Sequence, residues 1–314
     1  MFGSKTRAGA ILIVAFSFAG CATAKQPSRP RIALVMKSLA NEFFKTMEDG
    51  ARAHQRANAA RYDLIAGGIK DEQDVAGQIR LVEQMVAEGA AALVIAPADS
   101  KALVATCKRA EDAGLVVVNI DNRLDLEVVR EKGLRAPFVG PDNRKGARLV
   151  GDAVARLLKT GDKVAILGGV PGAFNAIARE AGFQDAARSA GLVVAESQSA
   201  FWDTGKANQI AAALVRETPD LKALLCANDN MALGAVAALK EAGRTDVLVA
   251  GFDNIAAVQS LLREGRIVAT ADQHADRLAV FGIEYALEML EKKTAPGDRE
   301  TPVDLVTKGA AAAR

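Results

Sequence analysis

Four Asp-Asn pairs in this sequence directly follow runs of apolar residues. They lie in VVVNIDNR, FVGPDNRK, LLCANDNMALGA and VAGFDNIA, as Asp121-Asn122, Asp142-Asn143, Asp229-Asn230 and Asp253-Asn254. A carboxylate accepts hydrogen bonds and an amide both donates and accepts them, so such pairs can bind a ligand with several hydroxyl groups. Helix capping is the structural alternative, and it could explain Asn143 and Asn254. It explains Asp121 less well, because no helix is predicted directly after it.

Aromatic residues accompany these polar groups at the predicted strand ends. A site for a neutral sugar or polyol needs both kinds of group, because the C–H faces of such ligands pack against aromatic rings. The only Trp of the chain lies in a polar segment, SAFWDTGK, where a hydrophobic core does not account for it. The candidate polar residues are Asp121, Asn122, Asn228, Asp253 and Gln273, and the candidate aromatic residues are Phe43, Phe44 and Trp202.

Ten short apolar runs alternate with amphipathic stretches of helical period after residue 30. This alternation predicts strands joined by right-handed helical crossovers into parallel sheets that are buried on both faces. Ligands of open parallel sheets bind beyond the carboxyl ends of the strands, which is where the Asp-Asn pairs lie. The predicted strands are 31–37, 63–68, 92–97, 115–121, 138–141, 163–169, 192–197, 223–228, 247–252 and 267–272.

Length and composition predict two domains and exclude several functions. The chain has 314 residues, of which 50% are hydrophobic, and ten strand units are too many for one simple doubly wound domain. We place the break near Gly140-Pro141, with a return near Gln273. Lys and Arg number 40 against 38 Asp and Glu, so the net charge of +2 gives no basic field for nucleic acid.

Enzyme and metal motifs are absent from the sequence. It contains no G-x-G-x-x-G, P-loop, G-x-S-x-G or H-E-x-x-H motif. Its two histidines, His54 and His274, have no partner at metal-ligand spacing. We therefore predict a protein that is not an enzyme and that has no cofactor and no metal site.

The first residues, MFGSKTRAGAILIVAFSFAGCATAK, have the pattern of a secretory signal. Positive residues precede an apolar run that is too short to span a membrane, and small residues follow it. The end of this run resembles a bacterial lipobox, so we predict a lipoprotein signal over 1–21 with a lipidated Cys21, and a tether over 22–30. An ordinary signal with a chance cysteine is the alternative. Cys107 and Cys226 lie in apolar contexts and are predicted to be buried free thiols.

Six segments together resemble the ribose-binding-protein type of periplasmic sugar receptors, which are the substrate-binding subunits of ABC importers. They are IALVMKSLANEFFKTMEDGA, ALVIAPADS, VVVNIDNR, AREAGFQDA, ANDNMALGAVAALKEAG and VAGFDN, and the resemblance covers about residues 31–308. It implies two Rossmann-like α/β lobes with parallel sheets, joined by a three-crossover hinge, that close over one sugar. The lobes it implies are 31–140 with 274–303 and 141–273 with 304–314.

The resemblance also assigns roles to individual positions. Asn41, Phe43 and Phe44 match the motif that contacts sugar from the N-terminal lobe, and Asp121 matches an acidic residue that binds hydroxyl groups. Trp202 matches an aromatic residue of the C-terminal lobe. The polar residues on the opposite side of the sugar site are matched by Asn228, Asp253 and Gln273. Lys37 and Arg123 are left open as further members of the site.

Two departures from the ribose receptor concern its arginines. Asn122 and Ile177 stand where that receptor has Arg, and Arg179 matches a position outside its direct contacts. Ile177 would make one wall of the cleft apolar, so we expect a ligand other than ribopyranose, such as a deoxy sugar or an alditol.

The predicted function is that of a substrate-binding lipoprotein of an ABC importer, which captures a neutral monosaccharide or sugar alcohol. Its expected partners are the sugar, the permease subunits and a membrane, which it reaches through the lipid anchor only. We expect no binding of nucleic acid. We also expect a monomer that is located in the periplasm or at the cell exterior. A receptor that presents sugar to a chemotaxis or sensor-kinase partner is the alternative. A sugar-responsive repressor would need a helix-turn-helix where this chain has its signal.

Overall fold

The computed structural model describes residues 1–3, 29–294 and 296–311. Residues 4–28, which include Cys21 and most of the predicted signal and tether, lie outside the described residues. All ten predicted strands are present, and two short ones follow them near the C-terminal end. The strands are β1 (Arg31–Ser38), β2 (Asp63–Ile69), β3 (Ala92–Ile95), β4 (Val116–Ile120), β5 (Phe138–Pro141), β6 (Lys163–Gly168), β7 (Val193–Ser199), β8 (Leu221–Cys226), β9 (Leu248–Ala250), β10 (Ala269–Asp272), β11 (Arg299–Thr301) and β12 (Asp304–Thr307).

Helices connect successive strands, as the alternating pattern predicts. Asn and Asp side chains cap several of them, because a side-chain oxygen can accept from the free N–H groups of the first turn. The helices are α1 (Glu42–Ala57), α2 (Val75–Ala87), α3 (Val104–Asp112), α4 (Leu126–Lys132), α5 (Asn143–Ala155), α6 (Phe174–Ser189), α7 (Thr204–Glu217), α8 (Asp229–Glu241), α9 (Gln259–Glu264), α10 (Ala275–Lys292) and α11 (Lys308–Ala311), with a 3₁₀ turn over Ala256–Val258.

The strands form two six-stranded sheets, ordered β11-β5-β4-β3-β1-β2 and β12-β10-β9-β8-β6-β7. All pairings are parallel except that of β10 with β12. The chain passes between the sheets after β5, after β10 and between β11 and β12, and α10 packs against α1 and β4. We call the first sheet with its helices the first lobe, and the second sheet with its helices the second lobe. The predicted fold class, two α/β lobes with parallel sheets, is confirmed.

Burial explains why the strands read as continuous apolar runs. Seven consecutive residues of β1, Ile32 to Ser38, are buried, as are all four residues of β3. Helices cover both faces of such strands, so no alternation of polar and apolar residues is needed. β11 and β12 are short and carry exposed polar residues, which is why no apolar run predicts them.

The two cysteines of the described chain are buried free thiols, as predicted. Burial raises the pKa of Cys107 to about 12 and that of Cys226 further, so both remain protonated at neutral pH. Within the described residues, no helix has the length and hydropathy required to cross a membrane.

Candidate functional site

A cavity lies between the lobes, at the carboxyl ends of the strands. All the predicted ligand residues line it except Asn122, and four further residues join them. Its lining consists of Lys37, Asn41, Phe43, Phe44, Glu72, Asp121, Asn175, Arg179, Trp202, Asn228, Asp253 and Gln273. The cavity has a volume of about 20 Å³, which is about the room that one water molecule needs. A sugar ring can therefore enter only when the lobes separate and these side chains make room.

Aromatic rings from both lobes face this cavity. Phe43 and Phe44 of α1 are buried and form an edge-to-face pair with ring centroids 5.1 Å apart. Trp202 comes from the second lobe, in the turn before α7, and is also buried. A Cβ at Gly169 would lie 2.0 Å from Trp202 Cζ2, so the glycine after β6 is what admits the indole. The rings give both lobes an apolar surface for the C–H face of a sugar.

Two of the predicted ligand residues also cap helices. Asn41 Oδ1 accepts from the backbone N–H of Phe43 at the start of α1, and Asn228 Oδ1 accepts from that of Met231 in α8. Because each carbonyl oxygen is used by a helix, the amide N–H groups are what each side chain can offer to a ligand, and Asn41 uses one of its two for Glu72 Oε1. Capping and ligand binding are therefore compatible at these two positions.

In the first lobe, an ion pair forms one side of the cavity. Lys37 Nζ lies 3.2 Å from Asp121 Oδ2, and both side chains are no more than 3% exposed. The ammonium group also lies 5.5 Å from the Phe44 ring centroid. Asp121 has a backbone φ of 59°, a conformation that Asp adopts more readily than most residues. Lys37, which the sequence left open, thus belongs to the cavity, whereas Arg123 pairs with Asp298 outside it.

In the second lobe, a network around Asp253 forms the facing side. Asp253 Oδ1 accepts from Gln273 Nε2 at 2.7 Å and lies 3.4 Å from Arg179 Nη1. The Arg179 guanidinium also donates to Ala227 O at 2.9 Å and to Asn143 Oδ1 at 2.8 Å. Asn143, of the second Asp-Asn pair, therefore holds the arginine rather than the ligand.

The structure corrects the expectations for Arg179 and Ile177. Arg179 was expected outside the site, but it lines the cavity and stacks 3.7 Å over the Phe252 ring. Ile177 was expected to form an apolar wall, but its side chain is 58% exposed and lines a separate groove. Two residues along α6 correspond to a rotation of about 200°, so the two side chains point to opposite sides of the helix. The cavity therefore has a guanidinium group, and Ile177 gives no argument against ribopyranose.

The expectation for Asn122 also needs correction. Its side chain is fully buried, with Nδ2 donating to Pro97 O at 2.9 Å. Its Oδ1 accepts from the backbone N–H of Asn175, at 3.1 Å, and thereby joins the first lobe to the start of α6. Asn122 is thus an interlobe contact and is not part of the cavity lining.

Further contacts hold the lobes together. Ser100 Oγ accepts from the backbone N–H of Phe174 at 2.9 Å, and Glu42 Oε1 accepts from that of Ala256 at 2.8 Å. Both bonds join groups of different lobes, so they form only in the closed arrangement. Closure accordingly has its own stabilising contacts in addition to any that a ligand would add.

Four cavity residues have a buried oxygen that makes no hydrogen bond: Glu72 Oε2, Asp121 Oδ2, Asn175 Oδ1 and Gln273 Oε1. Buried polar atoms without a hydrogen bond are uncommon, and here all four face the same space. Asp121 Oδ2 is ion-paired with Lys37, whereas the other three have no hydrogen-bond partner. They suit a ligand with several hydroxyl donors. Among the described residues, no group of three His, Cys, Asp or Glu side chains is arranged to hold a metal ion.

Glu72 and Asn175 were not singled out from the sequence. Glu72 lies three residues after the end of β2. The criterion that selects Asp121, a polar residue just after a predicted strand, could therefore have selected Glu72 as well. Asn175 lies in the first turn of α6, and only the approach of that helix to the first lobe brings it to the cavity.

The ionisation of Asp253 predicts that closure depends on pH. Burial raises the pKa of Asp253 to about 7, although Arg179 acts in the opposite direction. In an open cleft, water reaches this carboxylate and its pKa falls toward its ordinary value of about 3.9. Between about pH 4 and pH 7 the closed state therefore binds a proton that the open state does not, so lowering the pH through 7 favours ligand-free closure.

Small-angle X-ray scattering measures this effect. The radius of gyration of the ligand-free protein should be smaller at about pH 5.5 than at about pH 8. Asp253→Asn should reduce the difference, because the amide does not titrate. Equal radii at the two pH values for the unchanged protein would contradict the prediction.

Comparisons with known proteins agree with this geometry. A family model described as "Periplasmic binding protein domain" matches residues 32–294. The chain is 57% identical to the D-ribose/D-allose-binding protein of Pseudomonas aeruginosa over 289 residues, which cover 90% of this chain and 91% of the relative. It is 30% identical to the ribose import binding protein of Escherichia coli, with 95% of this chain and 98% of the relative covered.

Solved structures of similar proteins have the same fold. An ABC transporter solute-binding protein from Burkholderia multivorans has a TM-score of 0.87 and 56% identity, covering 89% of this chain and 99% of its own; its unknown ligand was interpreted as α-D-erythrofuranose. A periplasmic solute-binding protein from Actinobacillus succinogenes, with bound D-allose, has a TM-score of 0.86 and 32% identity, covering 91% of this chain and 100% of its own.

Proposed function

The chain belongs to the periplasmic binding protein family, and we propose that it captures a neutral monosaccharide of the D-ribose or D-allose type between its lobes. The family consists of solute-binding proteins rather than enzymes, which confirms the prediction that the chain is not an enzyme. Family membership also places the protein in the periplasm. The relatives from Pseudomonas aeruginosa and Actinobacillus succinogenes support the choice of these two sugars.

The four buried oxygens that make no hydrogen bond are the observation that carries the proposal; one of them, Asp121 Oδ2, is ion-paired with Lys37. Each is a buried acceptor that faces the cavity, and a sugar offers a row of hydroxyl donors within a few ångströms of one another. Phe43, Phe44 and Trp202 provide apolar surface for the C–H faces of the ring.

The charges of the cavity favour a neutral ligand. Lys37 is paired with Asp121, and Arg179 with Asp253, so each cation already has a carboxylate partner. A charged sugar acid or sugar phosphate would enter a buried site that has no unpaired opposite charge, and burying an unpaired charge is costly.

Isothermal titration calorimetry with a panel of ligands tests the proposal. The panel is D-ribose, D-allose, ribitol, myo-inositol and D-ribose 5-phosphate, each titrated into the purified protein. We expect D-ribose or D-allose to bind with a Kd of about 10 µM or tighter, and the phosphate ester to bind at least about a hundredfold more weakly. The proposal is wrong if neither sugar binds, or if the phosphate ester binds best.

The captured sugar is proposed to pass to the permease subunits of an ABC importer. The relative from Escherichia coli is an import binding protein, and both structural neighbours are solute-binding proteins of ABC transporters. In this proposal the protein acts as a monomer that presents its closed lobes to the permease.

We also propose that Cys21 carries a lipid that anchors the protein to a membrane. The apolar run before it is followed by Phe18-Ala19-Gly20-Cys21, which resembles a lipobox. Cys21→Ser should therefore move the protein from the membrane fraction to the soluble fraction, and mass spectrometry should find lipid on the unchanged protein only. A Cys21→Ser protein that stays with the membrane, together with an unmodified parent chain, would contradict this proposal. Cys107→Ser, at a buried thiol, is the matched control and should leave the fractionation unchanged.

A further inference from the structure

We propose that Glu72 is a specificity residue of the cavity, which accepts a hydrogen bond from an exocyclic hydroxymethyl group that a hexopyranose has and a pentopyranose lacks. This inference rests on the proposed function, because it assumes that the cavity holds a neutral monosaccharide. It goes further by assigning one side chain to the part of the ligand in which D-allose and D-ribose differ.

The two oxygens of the Glu72 carboxyl group are in different situations. Oε1 accepts from Asn41 Nδ2 at 3.1 Å, and this bond fixes the direction of the side chain. Oε2 is buried in the cavity lining and has no hydrogen-bond partner. A buried acceptor without a partner destabilises the closed state, and a hydroxyl group of the ligand would remove that cost.

Glu72 lies where the cavity can accommodate a larger ligand. Three lining residues, Asn41, Glu72 and Trp202, also line an outer groove of about 280 Å³. The outer groove additionally includes exposed polar residues such as Asp71 and Lys206. A substituent that projects from the sugar ring therefore finds space past Glu72, on the side of the outer groove.

The sizes of the candidate ligands match this arrangement. In the pyranose form, D-allose is D-ribose with one additional CH₂OH group on the ring. The other buried oxygens without a hydrogen bond belong to Asp121, Asn175 and Gln273, which do not line the outer groove, so we assign them to the ring hydroxyls. Glu72 is then the acceptor left for the exocyclic oxygen.

The protonation state of Glu72 does not decide the contact. Burial raises the pKa of Glu72, while Lys37 and the bond from Asn41 act in the opposite direction. A hydroxyl group both donates and accepts, so it can pair with either the ionised or the protonated carboxyl group.

Calorimetric titrations of matched variants and ligands test this inference. The variants are Glu72→Ala, Glu72→Gln and the control Glu83→Gln, which changes an exposed acid of α2 that lines neither the cavity nor the outer groove. The ligands are D-ribose, D-allose and 6-deoxy-D-allose, in which a methyl group replaces the hydroxymethyl group. Glu72→Gln retains an oxygen acceptor, so it separates the loss of a hydrogen bond from the loss of charge.

Glu72→Ala should weaken the binding of D-allose by about tenfold to a hundredfold and the binding of D-ribose by less than about threefold. For 6-deoxy-D-allose, the unchanged protein and Glu72→Ala should have similar affinities, and Glu83→Gln should resemble the unchanged protein throughout. Equal losses for D-ribose and D-allose, or an unchanged affinity for D-allose, would overturn the inference while leaving the proposed function standing. If the unchanged protein binds neither sugar, both fail.

Discussion

An Arg179→Ala variant is expected to lose detectable binding of D-ribose and D-allose, whereas Ile177→Ala should bind as tightly as the unchanged protein. Arg179 is fully buried beside Asp253 and lines the cavity, while Ile177 is exposed on the opposite side of α6. Removing the guanidinium group deprives the buried Asp253 of its charge partner, and breaking a buried pair in this way costs about 3–5 kcal/mol. A loss of that size in the combined free energy of closure and binding lowers the affinity by more than a hundredfold.

The measurement combines calorimetry with thermal unfolding, because Arg179 also stabilises the fold. It donates to Asn143 Oδ1 and to Ala227 O, so its removal should lower the midpoint of thermal unfolding. Arg179→Lys keeps the positive charge but lacks the planar arrangement of donors. It should bind sugar more weakly than the unchanged protein and should have a higher midpoint of thermal unfolding than Arg179→Ala. If Ile177→Ala loses affinity and Arg179→Ala retains it, the orientation of α6 in the structure is wrong.

Most of the fold could be predicted from the sequence, because the signals are local and strong. Each buried parallel strand reads as an apolar run, and each crossover helix reads as an amphipathic stretch with Asn or Asp at its start. The polar residues at the strand ends then predict the edge of each sheet where the cavity lies. The same reasoning predicts that Asp121, Asn228 and Asp253 lie at one site.

The details of the cavity depend on directions that residue patterns do not contain. Whether Arg179 or Ile177 faces the cavity depends on the rotation of α6. The Asn122 amide is instead held by Pro97 O and by the backbone N–H of Asn175. Three cavity residues, Asp121, Trp202 and Asp253, have positive φ values of 59°, 65° and 115°. Such conformations cost about 1–3 kcal/mol each and often occur at functional sites. They are imposed by the surrounding packing, so the sequence around them does not reveal them.

Replacing Trp202 by Ala should abolish sugar binding while the α/β fold is retained. The indole is 5% exposed and lies with its centre 5.8 Å from Lys37 Nζ and 5.6 Å from the Arg179 guanidinium, so cations from both lobes converge on it. The variant loses the stacking surface and leaves empty volume between the lobes, which together cost about 3–5 kcal/mol. Trp202→Phe keeps a ring and should lose about tenfold in affinity, while both variants should keep the circular dichroism spectrum of the parent.

Fluorescence of the unchanged protein provides an independent test of the same position. Trp202 is the only Trp in the chain, so any change in the emission of indole on titration with D-ribose or D-allose comes from this site. Since Lys37 belongs to the first lobe and Trp202 to the second, closure over a ligand changes the surroundings of the ring, and the emission should shift and saturate with the calorimetric Kd. A saturating calorimetric signal with unchanged Trp emission would place the sugar away from Trp202. Binding that survives in Trp202→Ala would place it away from this cavity altogether, because the ring forms the second lobe's aromatic surface there.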